Sequence, residues 1–291
     1  MDEDLSGWLQ LRERADAAAR SANVTQTVVE AVAFDDPVHV LDLATGTGSN
    51  LRYLAPRLPR RQCWLVVDRD PRLLGRLPEL MRSWGAAQDY NVKADAPGCV
   101  IRAEHLDVRV ETLARDLGGL NDADLFAGRH LVTASALLDL VSVGWLRTLA
   151  ARCRAAGAAA LFALSYNGWS SCVPAEPEDD LVRDLMNRHQ GRDKGLGGPA
   201  AGPEAAAFAV RCFAEAGYRV LSERSDWALG PSEPALQRQL IDGWAQAATE
   251  VAPDDASRIE RWRRRRIAHV GAGRSHVAVG HLDFAAWLPQ A

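Results

Sequence analysis

The sequence predicts an α/β fold in which helices cover both faces of a mostly parallel sheet. Short β-branched runs alternate with helix-like stretches, at about the spacing of strand–helix–strand units. Predicted strands lie at residues 38–43, 63–67, 100–105, 130–134, 159–164, 218–223 and 275–282. The 291 residues contain no internal repeat and no obvious linker. We therefore expect one domain with insertions.

The composition of the chain argues against several classes of protein. Apolar residues make up 47% and charged residues 25% of the chain, as in globular proteins. A formal charge of −4 gives no excess of positive charge for nucleic acid. The five cysteines never form a Cys-x-x-Cys pair, which argues against a disulfide framework and a zinc site. With an acidic start and no apolar span, we expect a cytoplasmic protein with a small-molecule partner, no nucleic acid, no membrane and no metal.

Three segments fall outside the strand–helix alternation and are predicted to form a helical lid. Residues 1–32 are mostly helical, and residues 166–203 read as a Gly- and Pro-rich loop with a short helix near 181–189. Residues 234–270 form two amphipathic helices separated at 251–255. Long insertions in compact domains are usually functional. We accordingly divide the chain into a lid segment, 1–32, and a main domain, 33–291, with insertions at about 166–203 and 234–270.

A glycine-rich turn follows the first predicted strand and precedes a helix at 51–57. Gly46 and Gly48 have no Cβ and let a ligand approach the backbone closely. Asp68 stands twenty residues after Gly48, at the end of the second strand. A carboxylate there can accept hydrogen bonds from both hydroxyls of a ribose. The pattern predicts an adenosine-type ligand.

The details of the turn discriminate among adenosine ligands. A dinucleotide fingerprint requires a third glycine, at the position where this chain has Leu51. A P-loop requires a lysine after its glycines, and Ser49 stands there instead. Binding of pyrophosphate or triphosphate is therefore disfavoured, although an NAD(P)-dependent oxidoreductase stays the alternative enzyme.

The sequence VLDLATGTG at residues 40–48, together with Asp68, resembles motif I of class I S-adenosylmethionine-dependent methyltransferases. The resemblance covers about residues 33–164, and Ala44 replaces the first glycine of the family pattern Asp/Glu-x-Gly-x-Gly-x-Gly. It implies a Rossmann-like, seven-stranded sheet whose last strand is antiparallel. It also implies S-adenosyl-L-methionine (SAM) as cofactor, with S-adenosyl-L-homocysteine (SAH) as product.

The resemblance implies a set of cofactor-binding residues. Those at the turn and the strand ends are Asp42, Ala44, Thr45, Gly46, Gly48, Asn50, Asp68, Arg69 and Ser135. Asp107 and Val108 are expected to end the third strand and contact the adenine. Arg20, an arginine among alanines, is a separate candidate: if the N-terminal helix folds over the cofactor, it can pair with the cofactor's carboxylate.

Candidate acceptor residues follow the fourth and fifth strands. Asp139 lies one helical turn beyond Ser135, so both can face one cavity. Tyr166 and His189 are the other candidate catalytic residues, and Trp169 and His276 are candidates for substrate binding. Aromatic faces suit a flat apolar substrate. Each residue also has an ordinary interpretation: a helix cap, packing under the long loop, or a surface histidine.

The N-terminal segment and the residues around 193–197 resemble small-molecule methyltransferases of natural-product biosynthesis, including those that methylate indole carbon-3 on the way to pyrroloindolines. The resemblance implies methyl transfer by direct displacement to a small aromatic or heterocyclic metabolite, with an indole as one candidate. A methyltransferase-like protein that binds cofactor without transferring methyl is a further alternative. The oligomeric state stays open, and a homodimer is compatible with the sequence.

Overall fold

The computed structural model describes residues 2–32 and 35–289, so the first and last residues of the main domain expected at 33–291 lie outside the described residues. Its strands are β1 (Val38–Leu43), β2 (Arg61–Asp68), β3 (Asn91–Asp95), β4 (Gly98–Ala103), β5 (Leu106–Ala114), β6 (Leu131–Ser135), β7 (Ala159–Val173), β8 (Arg219–Arg224), β9 (Trp227–Leu229) and β10 (His276–Trp287). Its helices are α1 (Asp2–Ala19), α2 (Ala22–Ala31), α3 (Ser49–Leu54), α4 (Pro71–Ala87), α5 (Val143–Ala156), α6 (Asp179–Gln190), α7 (Ala205–Glu215), α8 (Pro234–Val251) and α9 (Ala256–Gly271). None of these helices is both long and apolar enough to cross a membrane.

The described strands form one sheet in the order β3-β4-β5-β2-β1-β6-β7-β10-β8, with β9 paired to β10. Strands β5, β2, β1, β6 and β7 run parallel to one another. The last strand of the chain, β10, lies between β7 and β8 and is antiparallel to both. The predicted seven-stranded sheet with an antiparallel last strand is therefore confirmed, and β3, β4 and β9 are additions to it.

The third parallel strand is β5, and the prediction at residues 100–105 is wrong. Residues 98–103 form β4, which turns back at residues 104–105 and pairs antiparallel with β5. Both runs are β-branched, so local periodicity did not separate the edge hairpin from the parallel strand. Tight pairing requires Gly98, because a Cβ there would lie 1.9 Å from the Val110 carbonyl oxygen.

Strand β7 is longer than predicted. It continues through residues 166–173, where a loop was expected, and pairs with β10 along this extension. The insertion therefore begins after Val173 and contains α6, while α8 and α9 lie close to the predicted helices at 234–270.

One apolar layer lies on each face of the sheet. On one face, α5 and α7 contribute buried residues such as Trp145 and Phe213. On the other, α2, α3 and α4 contribute residues such as Val28, Leu51 and Leu77. A third cluster joins α1 to β9 and α8. Because helices cover both faces of the sheet, the carboxyl edge of the parallel strands is the part left open, and α/β proteins bind ligands at this edge.

Candidate functional site

The turn after β1 exposes its backbone to a cleft. Ala44, Gly46 and Gly48 have positive φ values of 52°, 56° and 85°. This region of φ favours glycine, and Ala44 adopts it despite its Cβ. A Cβ on Gly48 would lie 2.8 Å from the Met81 Cε, so helix α4 packs directly against the turn. The sequence places glycine where both the φ angle and the packing require it.

Two aspartates at the ends of β1 and β2 order this turn. The Asp68 carboxylate accepts hydrogen bonds from the backbone N–H of Gly46 at 2.8 Å and of Asp70 at 2.9 Å. The Asp42 carboxylate accepts one from the Thr45 hydroxyl and one from the Asn50 amide, both at 2.6 Å. Complete burial raises the pKa of Asp42 to about 6 despite these bonds.

A first cavity of about 850 Å³ opens above the turn. The predicted cofactor residues that line it are Asp42, Ala44, Thr45, Gly46, Asn50, Asp68, Arg69 and Ser135. Gly48 does not line it and instead packs against α4. Leu5, Leu9 and Arg12 of α1 also line this cavity, so the N-terminal helix forms part of its wall.

Asp107 and Val108 lie at the wrong end of their strand to reach this cavity. Because the third parallel strand is β5, Asp107 stands near its beginning, half exposed and 3.6 Å from Arg102, and Val108 is in the core. Their predicted position at the end of the third strand is therefore wrong. The residues beyond the carboxyl end of β5 that line the first cavity are Asp116 and Leu117. The signal for Asp116 was an acidic residue just after a β-branched run.

Arg20 is buried beside the turn and is only partly satisfied. Its Nη1 donates a hydrogen bond to the Asn50 Oδ1 at 2.7 Å, and its guanidinium carbon lies 3.9 Å from the centre of the Tyr53 ring. Its Nε and Nη2 are buried without a hydrogen-bond partner. A small cavity of about 180 Å³ joins Arg20 to Asn50 and Ser135, which also line the first cavity. The unsatisfied N–H groups suit an anionic ligand group.

A second cavity of about 570 Å³ adjoins the first. The two share Arg12, Ala136 and Leu140 as lining residues. Aromatic rings form much of the second wall: Trp8, Tyr166, Trp227 and Trp244. Sequence reasoning missed most of these rings, because they come from α1, β9 and α8, which are distant along the chain.

The structure brings Asp139, Tyr166 and His189 together at the second cavity. Desolvation raises the pKa of the buried Asp139 to about 6. The Tyr166 hydroxyl donates to the Asn187 Oδ1 at 2.8 Å, and the His189 Nε2 lies 3.0 Å from the Glu250 Oε2. Of the three candidate catalytic groups, Asp139 is the one that lacks a side-chain partner among the described residues.

Trp169 and His276 line neither cavity. Trp169 is 41% exposed, and its ring stacks against the Arg224 guanidinium at 5.3 Å. His276 begins β10, is exposed, and pairs with Val173. Since β7 continues beyond the sheet edge as a strand, it carries Trp169 away from the cavities. Further along β10, the His281 side chain does line the second cavity.

Asp139→Asn is expected to stabilise the protein in a pH-dependent way. Because the pKa of Asp139 is raised to about 6 in the folded state, the folded protein binds a proton there more tightly than the unfolded chain. The ionised carboxylate therefore lowers stability above pH 6, and this penalty disappears as the pH falls towards 4. Urea unfolding should show a gain of about 2 kcal/mol near pH 7.5 and much less near pH 4.5. An equal change at both pH values would contradict the burial argument.

The solved structures that this chain resembles are distant in sequence. No protein-family model and no curated protein matches the chain. Among solved structures, a putative methyltransferase from Bacillus halodurans is 13% identical, with a TM-score of 0.49, over 92% of this chain and 100% of that one. An SAH complex of a SAM-dependent methyltransferase from Geobacter sulfurreducens is 14% identical, with a TM-score of 0.44, over 96% and 98%. One from Thiobacillus denitrificans, also with SAH, is 13% identical, with a TM-score of 0.43, over 92% of each chain.

Similarity at this level assigns no substrate, and the chain's own topology decides the fold. Its central strands run in the order β5-β2-β1-β6-β7-β10-β8. The glycine turn follows β1, Asp68 ends β2 and Asp116 follows β5. The last strand, β10, is inserted antiparallel between β7 and β8. This chain has the Rossmann-like sheet of the class I methyltransferase fold.

Proposed function

We propose that this protein transfers a methyl group from SAM to a small aromatic or heterocyclic metabolite. The observation that carries the proposal is Arg20, whose buried Nε and Nη2 lack a partner beside the glycine turn. SAM carries an amino-acid carboxylate at the far end from its adenine, and this group matches the unsatisfied guanidinium. A nicotinamide dinucleotide would instead bring a pyrophosphate to the turn, which lacks the third glycine.

The residues around the first cavity fit each part of SAM. Asp68 is positioned for the ribose hydroxyls, Asp116 and Leu117 for the adenine, and Ser135 for the methionine portion, with Arg20 for the carboxylate. When bound, SAM supplies a methyl group on a positively charged sulfur for direct displacement. Helix α1 forms part of the wall of the first cavity, and the shared wall at Ala136 and Leu140 lets an acceptor in the second cavity face the first.

The second cavity favours a flat acceptor. Tryptophan and tyrosine rings offer extended apolar faces for a ring system, so an indole is the acceptor to test first, with carbon-3 as the reacting atom. An electron-rich carbon can attack before it loses a proton, so a base is needed only after transfer.

We place the reaction in the cytoplasm, as a step of natural-product biosynthesis. The cysteines, all free in the described structure, support the reducing compartment.

Calorimetric titration with SAM, SAH and NADH tests the cofactor assignment. We expect micromolar binding of SAM and SAH and no binding of NADH. Binding of NADH alone would overturn the methyltransferase proposal and leave the fold unaffected. Mass spectrometry of incubations with SAM and a panel of indoles then tests transfer. Tight SAM binding without methylated product over a wide panel would favour a protein that binds cofactor without transferring methyl.

Asp116→Ala is expected to weaken SAH binding by about 10-fold, the loss of one hydrogen bond to the adenine amino group. Asp107→Ala is the matched control and should leave the affinity unchanged, because Asp107 lies half exposed at the opposite end of β5. Calorimetry on both variants compares them directly. A larger loss for Asp107→Ala than for Asp116→Ala would mean that the adenine does not bind beyond the carboxyl end of β5.

A further inference from the structure

The second cavity contains charged and imidazole groups among its aromatic rings, and most of them are already paired. The paired groups and their partners are Arg12 with Asp16 at 2.8 Å, Asp242 with Arg263 at 2.7 Å, and His189 with Glu250 at 3.0 Å. Within the described residues, this leaves Asp139 and His281 without a hydrogen bond from their side chains to another side chain. A ligand in this cavity therefore meets two groups with unused bonding capacity.

Asp139 is a buried carboxylate that forms no salt bridge within the described residues. The residue is 7% exposed and follows β6 at the boundary between the two cavities. The backbone N–H groups of Asp139 itself and of Tyr166 and the charges of Arg12 and Lys194 act on its carboxylate. Arg12 is held by two hydrogen bonds to Asp16, and the Lys194 Nζ lies 3.4 Å from the His189 carbonyl oxygen. Asp139 can therefore still accept hydrogen bonds from a cationic ligand.

His281 is an uncharged acceptor in the same cavity. It is 5% exposed, and its ring packs 5.2 Å from the Trp227 ring and 6.3 Å from the Tyr166 ring. Its Nδ1 is fully buried, so the ring nitrogen that a ligand in the cavity can reach is Nε2. Desolvation lowers the pKa of His281 to about 3, so the imidazole is neutral and one of its two nitrogens carries a lone pair.

We propose that the second cavity binds acceptors in which a protonated amine is attached to a flat ring, with Asp139 holding the ammonium and His281 accepting a second N–H. An ammonium has three donors and no acceptor, which complements a carboxylate and a neutral imidazole. The surrounding aromatic faces stabilise a cation further. A ligand carboxylate or phosphate would meet Asp139 with like charge and is disfavoured. This inference rests on the proposed function only in naming the bound molecule the methyl acceptor.

Tryptamine and 3-propylindole make a matched pair of probes, because they share the ring and differ in the ammonium. We expect the full-length protein to bind tryptamine about 10- to 100-fold more tightly in calorimetry, the effect of one charge-assisted hydrogen bond. Asp139→Asn should abolish this preference. Asp180→Asn makes the same chemical change on the exposed face of α6, where Asp180 pairs with Arg183, and should retain the preference.

The titrations are run with and without saturating SAH, so that the two proposals can fail separately. If SAH does not bind, the proposed function is overturned while tryptamine still tests the cavity. Equal affinities for the two probes, a preference that survives Asp139→Asn, or no tryptamine binding at millimolar concentration would each overturn the amine proposal. Circular dichroism and SAH affinity report whether Asp139→Asn is folded, and if it is not, the comparison of the two probes on the unmodified protein decides.

Discussion

Asp68→Ala is expected to weaken the binding of SAH by at least 100-fold. The carboxylate lies at the end of β2 and lines the first cavity, and under the proposed function it accepts hydrogen bonds from both ribose hydroxyls. It also holds the backbone N–H groups of Gly46 and Asp70, so its removal loosens the turn that contacts the ligand. Each hydrogen bond to a charged group contributes about 1.5 to 3 kcal/mol, and about 1.4 kcal/mol corresponds to tenfold in affinity.

Asp68→Asn separates the two roles of this side chain. Asparagine keeps one oxygen for the Gly46 N–H but loses the charge and the acceptor of the Asp70 N–H, so the turn should loosen less than in Asp68→Ala while ribose binding weakens. Urea unfolding should show that Asp68→Ala costs about 1 to 3 kcal/mol of stability, because two N–H groups lose their acceptor. Asp68→Asn should cost less. If Asp68→Ala binds SAH as tightly as the unmodified protein in calorimetry, the ribose assignment is wrong.

Arg20→Met is expected to reduce SAH affinity by about 30- to 1,000-fold, because it removes the partner of the ligand carboxylate. The free energy of unfolding without ligand should change by no more than about 1 kcal/mol. The lost hydrogen bond to Asn50 is offset by removal of two buried nitrogens, Nε and Nη2, whose N–H groups have no partners. The neighbouring Asp283 carboxylate loses the positive charge of Arg20 but keeps its hydrogen bonds from the Ser21 and Leu164 N–H groups.

Arg20→Lys serves as the control for charge. Lysine restores a cation without the planar fork, so it should recover part of the affinity lost in Arg20→Met. Calorimetry with SAH measures binding, and urea unfolding measures stability. A large loss of stability with unchanged affinity would show that Arg20 is a structural residue and would remove the main support for SAM as the ligand.

The glycine turn and Asp68 could be predicted because their information is local. Within about thirty residues the chain has a buried strand, two glycines, a helix and a strand that ends in an acidic residue. Each of these local patterns predicts one type of structure. Ala44, Gly46 and Asp68 accordingly line one cavity. Arg20 was a candidate only because it is an arginine among alanines, and no periodicity around it indicated that it would be buried beside this cavity.

The third strand shows where local information ends. Residues 98–103 and 106–114 are both β-branched runs, and either could be the parallel strand next to β2. The choice depends on which run pairs with β2, a contact between segments far apart in the chain. Asp107 was placed in the site and Asp116 was overlooked as a direct result.

By itself, the sequence determined the fold class and the glycine turn, because hydrophobic periodicity and turn chemistry act over a few residues. The tertiary structure alone decided the second cavity. Its walls combine Trp8 near the amino terminus with Trp227 and His281 near the carboxyl terminus, and the Trp8 and Trp227 rings lie 6.4 Å apart. These residues meet because α1, β9 and α8 bury their apolar faces against one another. Such long-range packing leaves no periodic trace in any one segment, so the partners of Asp139 in the cavity could not be read from the chain.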